Sequence, residues 1–365
     1  MEENFNIVSF LKSAVATGAS DEHLKVGFPP FVRVNGSIKK TNLPPITLEI
    51  LEKAILDIAP TNVYDSLSCI KDIDFAYEIQ GVSRFRVNYN KQLGKPAMVI
   101  RNIPYVIPDL KDLKLPEYLG ELINHKNGII FVTGPTGSGK STTLASLINQ
   151  IIKKDSKHII TIEDPVEYVF TSQKGIISQR QVEVDTNSFS SGIKYSLRQD
   201  PDVIFVGEIR DKETMEAALK AAETGHLVLT TLHTNDAVQT INRIVNMFEE
   251  SNRYLIRKQL AETLRATIAQ KLVYSEKHNK RFPACEILTV TPTIRDYIVK
   301  DNADAIYELV RENNIDSMIS MNMSLFLLAS KDLISKQEAI ENSNDPDELE
   351  KLFRGAYLGT KGYYE

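Results

Sequence analysis

One stretch, Gly134-Pro135-Thr136-Gly137-Ser138-Gly139-Lys140-Ser141, restricts the fold of this 365-residue chain more than any other. It satisfies G-x-x-x-x-G-K-[ST], and Thr142 follows it. An apolar run at 129–132 leads in and a helical run at 141–152 leads out, whereas a glycine-rich turn matching by chance needs neither. The glycines let the backbone turn until successive N–H groups converge on an anion. The helix N-terminus adds a field that favours negative charge. In such a loop Lys140 reaches the β and γ phosphates of a nucleotide such as ATP, and Ser141 holds Mg²⁺.

A phosphate loop of this kind needs acids nearby. The apolar run 159–162 enters Glu163-Asp164-Pro165, and the run 203–206 enters Gly207-Glu208. In an open α/β sheet, ligands gather at the carboxyl ends of the strands, where both acids would lie. One can orient or deprotonate water and the other can anchor Mg²⁺ through its water shell; the pattern alone leaves open which does which. His226 and His233 flank the run 227–232, and either could sense a γ-phosphate, although a helix-terminal or surface histidine would look the same. Arg84 and Arg86, two apart on an expected strand, share one face while Phe85 and Val87 share the other. The arginine pair could reach a nucleotide held by another domain or subunit, or could simply be a solvated face.

The wider pattern is α/β. From residue 128, short apolar runs alternate with helical segments, which indicates a buried and mostly parallel sheet. Beyond 253 the chain reads as mainly helical, with 256–272 the clearest helix. Before residue 100 the pattern is a small α+β domain. It has helices at 5–17 and 47–57, a hairpin around Asn35-Gly36, and strands at 74–79 and 83–89 about the turn Gln80-Gly81. Pro104, Pro108 and Pro116 read as a semi-rigid connector. The expected division is therefore an N-terminal domain at 1–100, a linker at 101–126, an ATPase core at 127–290 and a helical C-terminal region at 291–365.

Composition narrows the class. Hydrophobic residues make up 42% and charged residues 25%, as in globular proteins, and the net charge of -5 argues against a chain that coats nucleic acid. Cys69 and Cys285 are far apart, so a zinc site built on thiolates is excluded. With no basic signal segment and no apolar run of membrane-spanning length, the expected location is cytoplasmic, with any membrane work done through a protein partner.

These residues resemble the type IV pilus retraction ATPases of the PilT type, within the secretion ATPase superfamily. The resemblance rests on Gly134 to Thr142 (Walker A) and Ile162-Glu163-Asp164-Pro165-Val166-Glu167 (Asp box). It continues through Asp200-Pro201-Asp202 with Gly207-Glu208-Ile209-Arg210-Asp211 (Walker B), and through Gly225-His226 and Thr231-Leu232-His233-Thr234 (His box). It implies a PAS-like N-terminal domain, a RecA-like P-loop core and a homo-hexamer with ATP and Mg²⁺ at subunit boundaries. Glu163 would activate water, Glu208 would organise Mg²⁺, and His233 would stand near the γ-phosphate. The implied partners are an inner-membrane platform protein and a paralogous pilus ATPase, with no direct nucleic acid.

Two departures stand out. Ser20-Asp21-Glu22-His23-Leu24 carries Glu22 where the family has an apolar residue, which predicts local repacking. Thr293-Ile294-Arg295-Asp296-Tyr297-Ile298-Val299-Lys300 keeps Ile294, Arg295 and Ile298 of the retraction signature, but Val299 and Lys300 replace Arg and Glu. Pilus assembly and type II secretion ATPases are the nearest alternative, disfavoured by the missing cysteine cluster. A non-hydrolysing accessory ring and a DNA translocase are the others.

Overall fold

The structure, a computed structural model, describes residues 5–34, 36–61, 71–103, 106–312 and 318–355. The chain divides into two units, Met1–Val106 and Ile107–Glu365. In the first, helix α1 (Ile7–Ala16) begins where the Asn6 side chain accepts the Ser9 N–H at 2.8 Å. It buries Ile7, Phe10, Leu11 and Ala14, the spacing of one helix face. Six antiparallel strands follow: β1 (Ala19–Lys25), β2 (Phe31–Val34), β3 (Ser37–Lys40), β4 (Asp72–Ile79), β5 (Ser83–Gln92) and β6 (Lys95–Ile103). Their order is β3-β2-β1-β6-β5-β4. Helix α2 (Leu48–Ile58), capped by Thr47, lies between β3 and β4 in the chain. The apolar stripes of both helices share one core with Phe85, Val87, Met98 and Ile100. β5 alternates as its sequence predicts, so Arg84 and Arg86 lie on the face away from that core. Val34 pairs with Ser37 in the expected hairpin; Asn35 lies outside the described residues.

Glu22 accounts for its own departure from the family. It pairs with Ile100 across β1 and β6, which places it on the core face, fully buried. Asn102 Nδ2 donates to its Oε1 at 2.8 Å, while Oε2 has no partner. Burial raises its carboxyl to about 8, so it is neutral at pH 7.

The second unit starts earlier than the expected core. Leu110, Leu115, Leu119, Leu122 and Ile123, in and around the short helix α3 (Leu119–Leu122), pack into the same cluster as the helix after the phosphate loop. The stretch expected as a connector thus belongs to this unit's core, and β6 runs three residues past the expected domain end at 100. A seven-stranded sheet follows, built from β7 (Gly128–Thr133), β8 (His158–Glu163), β9 (Ile176–Gln181), β10 (Val203–Val206), β11 (Leu227–Leu232), β12 (Leu264–Ser275) and β13 (Lys280–Thr289). Its order is β13-β12-β7-β11-β10-β8-β9, parallel throughout except the antiparallel pair β12–β13. Alternate residues of β7 serve two layers: Ile129 and Phe131 join one cluster, Ile130 and Val132 the other. Helix α4 (Lys140–Lys154) supplies Leu144, Leu147, Ile148, Ile151 and Ile152 to the second layer. Helices α5 (Phe189–Ser196), α6 (Lys212–Glu223), α7 (Ala237–Asn246) and α8 (Glu250–Thr263) cover the first.

The helix expected at 256–272 is corrected here. α8 ends at Thr263 and β12 begins at Leu264. Leu-Arg-Ala-Thr-Ile-Ala-Gln-Lys-Leu is rich in helix formers, but β12 lies between β7 and β13, and tertiary burial overrides propensity there. Beyond β13 the chain is helical as expected: α9 (Pro292–Val299), α10 (Ala303–Glu312), α11 (Met321–Ser330), α12 (Lys336–Glu341) and α13 (Pro346–Phe353). Helix α9 holds the altered signature, with Ile294 and Ile298 buried and Lys300 paired to Asp296 at 2.7 Å. The reversed charge at Lys300 thus meets an acid one turn earlier.

Candidate active site

The phosphate loop spans the end of β7 and the start of α4 and is fixed by tight backbone geometry. Gly134 has φ 140° and Gly139 φ 89°, and a Cβ at Gly134 would lie 2.2 Å from the Gln270 carbonyl oxygen. Lys140 is buried, and its Nζ donates to the Gly134 and Pro135 carbonyls at 2.8 and 3.0 Å. Burial lowers its pKa, opposed by the charges of Glu208 and Glu167. Gln270, on β12, clamps the loop from beside it. Its Nε2 donates to the Ser138 carbonyl at 2.7 Å, and its Oε1 accepts from Thr143 Oγ1 at 2.8 Å. The hydroxyl of Thr142 is engaged with that of Tyr168 at 2.9 Å, so only its backbone faces the question of phosphate contact.

Both acids stand at strand ends on the other side of the loop. Glu163 ends β8 and is nearly inaccessible. Its Oε1 accepts from Thr161 Oγ1 at 2.6 Å and from Gln179 Nε2 at 3.1 Å, and its Oε2 accepts from the Glu167 N–H at 3.3 Å. Burial raises the carboxyl to about 7 despite these bonds, which suits a group that takes a proton near neutral pH. Glu208 follows β10, and its carboxylate lies 2.8 Å from Arg210 Nη2 and 3.0 Å from His233 Nε2. Burial pushes Glu208 up, but the hydrogen bond from Arg210 and the charges of Arg210, His233 and Lys140 outweigh it and hold the pKa below its ordinary value. The two glutamates are thus driven apart, one towards base and one towards permanent anion. Thr231 ties the ends of β11 and β10 together by donating to the Gly207 carbonyl at 2.7 Å, which brings His233 to Glu208.

Magnesium fits this donor set. The Ser141 hydroxyl has no partner among the described residues, and Glu208 is ionised. Among the described residues no three of His, Cys, Asp and Glu gather as a cage. A nucleotide-bound Mg²⁺ does not need one, because phosphate oxygens and waters complete its shell.

His226 does not join the cluster. It precedes Leu227, which pairs with Gly128 at the opposite end of β7 from the loop, a six-residue strand away or roughly 20 Å. Its Nδ1 lies 3.0 Å from the Ala221 carbonyl, closing the end of α6. As a nucleotide contact within its own subunit, His226 is therefore corrected. Arg84 and Arg86 lie in the first unit. Arg86 pairs with Asp74 at 2.9 Å, and Arg84 keeps a buried Nε without a partner. Gln270, Gln179, Thr161 and Arg210 were missed in the sequence. Only Arg210, inside the second acidic motif, carried a signal that could have drawn attention to it.

The family described as "Type II/IV secretion system protein" matches residues 84–343. The chain is 39% identical over 343 residues to the type IV pilus retractation ATPase PilT of Pseudomonas aeruginosa, covering 94% of this chain and 99% of that protein. It is 35% identical over 344 residues to the type IV pilus ATPase PilU of the same organism, covering 94% and 90%. A crystal structure of the pilus retraction motor PilT with bound ADP matches it with a TM-score of 0.88 at 43% identity, covering 95% of this chain and 99% of that one. The RecA-like core, the smaller N-terminal α+β unit and the helical C-terminal region are the architecture of that group. With the phosphate loop, the two acidic strand ends and His233 in place around it, the chain belongs to the type II/IV secretion system protein family, among its PilT-type ATPases.

Proposed function

We propose that this protein hydrolyses ATP to retract type IV pili, as the PilT relatives do. The observation that carries the reading is the constellation around Lys140: Glu163 held near neutrality, and Glu208 held anionic beside His233. In this reading Lys140 and the N–H groups of the loop bind the β and γ phosphates, and Ser141 and Glu208 hold Mg²⁺, the latter through water. The bound ion would neutralise charge on the transferred phosphoryl group. Glu163 takes the proton of the attacking water while Thr161 and Gln179 hold its carboxylate in place. Six subunits form a ring, and Arg84 or Arg86 reaches the phosphates of a neighbour. Arg86 gives up only an exposed ion pair to do so, which is worth little.

No helix among the described residues is long and apolar enough to cross a membrane. By analogy with the PilT and PilU relatives, we assign the protein to the cytoplasmic face of the inner membrane, acting through a platform protein and alongside a PilU-like paralogue. The test is a count of surface pili in cells lacking the protein and in cells carrying Lys140→Ala. Abundant pili that no longer shorten are expected in both. Bald cells would overturn retraction in favour of assembly.

A further inference from the structure

Asp236 and Glu286 are buried acids that take no part in the cluster around Lys140. Glu286 stands on β13 opposite Ala269, which lies opposite Thr133, which lies opposite Leu232. It is therefore level with the end of β11, one residue before His233. Its neighbours Cys285 and Ile287 join one core layer and Leu288 the other, so alternation turns Glu286 towards the layer that holds α7. There its Oε1 accepts the Ala237 N–H at 2.8 Å, and the Met321 N–H also bonds its carboxylate. Ala237 opens α7 and Met321 opens α11. One side chain thus joins two helix N-termini, whose N–H groups favour an anion. Burial opposes them and, with Asp236 nearby, raises the carboxyl to about 7.

We propose that Glu286 is a positioning residue for hydrolysis: by tying the start of α7 to α11, it sets the loop that holds His233 against Glu208. The proposal rests on the ATPase reading above. Only His233, Thr234, Asn235 and Asp236 separate β11 from α7. A link so short passes a displacement of either end to the residues between. The β11 end is fixed by the sheet, where Leu232 pairs with Thr133 and Thr231 bonds the Gly207 carbonyl. The other end is fixed at Ala237, through Glu286. His233 Nε2 lies 3.0 Å from Glu208, and a shift of about 1 Å would take it beyond hydrogen-bond reach. Misplacement of that size near reacting groups can cost on the order of 10² in rate.

A second strut reaches the same loop. Asp236 caps α7 by accepting the Gln239 N–H at 2.7 Å, and the same oxygen accepts the Tyr307 hydroxyl at 2.9 Å. Tyr307 belongs to α10, so the last residue of the loop is braced against that helix. The approach to α11 is braced as well. Ile287, next to Glu286, exchanges backbone bonds with Ile319 at 2.8 and 3.0 Å, which brings Met321 to the carboxylate. The loop that carries His233 is thus tied to two C-terminal helices by two buried acids. A displacement of α10 or α11 would alter hydrolysis without touching the phosphate loop.

The experiment measures phosphate release by the full-length protein with ATP and magnesium at pH 8, where Glu286 is ionised. Glu286→Gln keeps the size of the side chain but turns one acceptor oxygen into a donor, and Tyr307→Phe removes one hydroxyl. Expected is a fall in kcat of about tenfold for the first and about threefold for the second, with KM and ADP affinity unchanged within about twofold. In a His233→Ala background neither should lower kcat further by more than about twofold, because there is no imidazole left to position. Full additional losses in that background, losses in KM alone, or wild-type kcat in both variants would overturn the proposal. If Glu286→Gln does not fold, Tyr307→Phe carries the same comparison. A second readout needs no turnover: exchange of the imidazole C2 hydrogen with deuterium, followed by mass spectrometry. The rate at His233 should change at least about twofold in either variant, while His226, at the far end of β11, stays as in wild type. An unmoved His233 overturns the positioning role. A wild-type protein that releases no phosphate overturns the ATPase reading instead, and the exchange at His233 still decides whether Glu286 places it.

Discussion

Glu163→Gln should push stability and activity in opposite directions. The carboxyl has an ordinary value of 4.5 and is raised to about 7 by burial. A group raised on folding contributes its full stability below the unfolded value and loses it as pH climbs through the folded one. By pH 8 the folded state has therefore lost about 3 kcal/mol to the ionisation of Glu163. Glutamine can still accept from Thr161 and Gln179 but forfeits the weak 3.3 Å bond from the Glu167 N–H, at a cost of about 1 kcal/mol. The variant should thus be about 2 kcal/mol more stable than wild type at pH 8 and about 1 kcal/mol less stable near pH 4.5. Turnover should fall by roughly 10²–10⁴ because the base is gone. Urea denaturation at the two pH values checks the first claim, and phosphate release checks the second. Wild-type turnover should also rise with pH through about 7, a limb the variant lacks. A variant destabilised equally at both pH values would show that Glu163 is not held near neutrality, and one with wild-type turnover would show that it is not the base.

Glu22→Leu should widen its melting-temperature advantage over wild type as pH rises from 5 to 8, because wild type must ionise a core carboxyl whose folded value is about 8. A pH-independent gap in scanning calorimetry would count against that account. Gln270→Leu leaves the Ser138 carbonyl and the Thr143 hydroxyl without their buried partner, at about 1–3 kcal/mol each, and should lower both melting temperature and ADP affinity. Unchanged affinity would show that the clamp does not shape the loop. His233→Ala should lower turnover on the order of 10²-fold while ADP binding holds, since it removes a group facing Glu208 and not the loop itself. Parallel loss of ADP binding would assign His233 to ground-state binding instead.

The parts of the site that lie in contiguous motifs are legible in the sequence. The phosphate loop, the strand-end acids and the alternation of β5 all follow from local spacing, and each lies where the spacing put it. Local spacing also explains what went unseen. Gln179 reaches Glu163 only because β9 pairs with β8, and Gln270 reaches the loop only because β12 pairs with β7. A glutamine on a strand has no signature until the sheet order is known. Spacing alone leaves the roles of the two glutamates open, because both are acids at the ends of apolar strands, and only the family resemblance tells them apart. Their difference lies in their neighbours: Glu163 has only uncharged donors, while Glu208 has Arg210, His233 and Lys140. His226 shows the converse error. It sits in a motif, but the motif straddles a whole strand, so its two histidines are separated by the strand's length.

The one long element read as the wrong type, β12, is also the one that joins the site's parts. This follows from its position. A strand between β7 and β13 must be apolar on both faces, so it has no clean period of two to betray it, and its burial pattern is nearly continuous from Ala266 to Gln270. Midway along it, where the pairing with β7 stops at Ala269, its character changes. There, beside a loop whose carbonyls and N–H groups turn inward, long polar side chains are needed to satisfy buried backbone groups, and Gln270 and Lys271 supply them. Inserted in a run of Leu, Arg, Ala, Thr and Ile, those two residues complete a helix-forming composition. The residues that make the segment look helical are therefore the residues that hold the phosphate loop and the C-terminal segment 342–344 in place, and local and tertiary signals disagree where the site required them to.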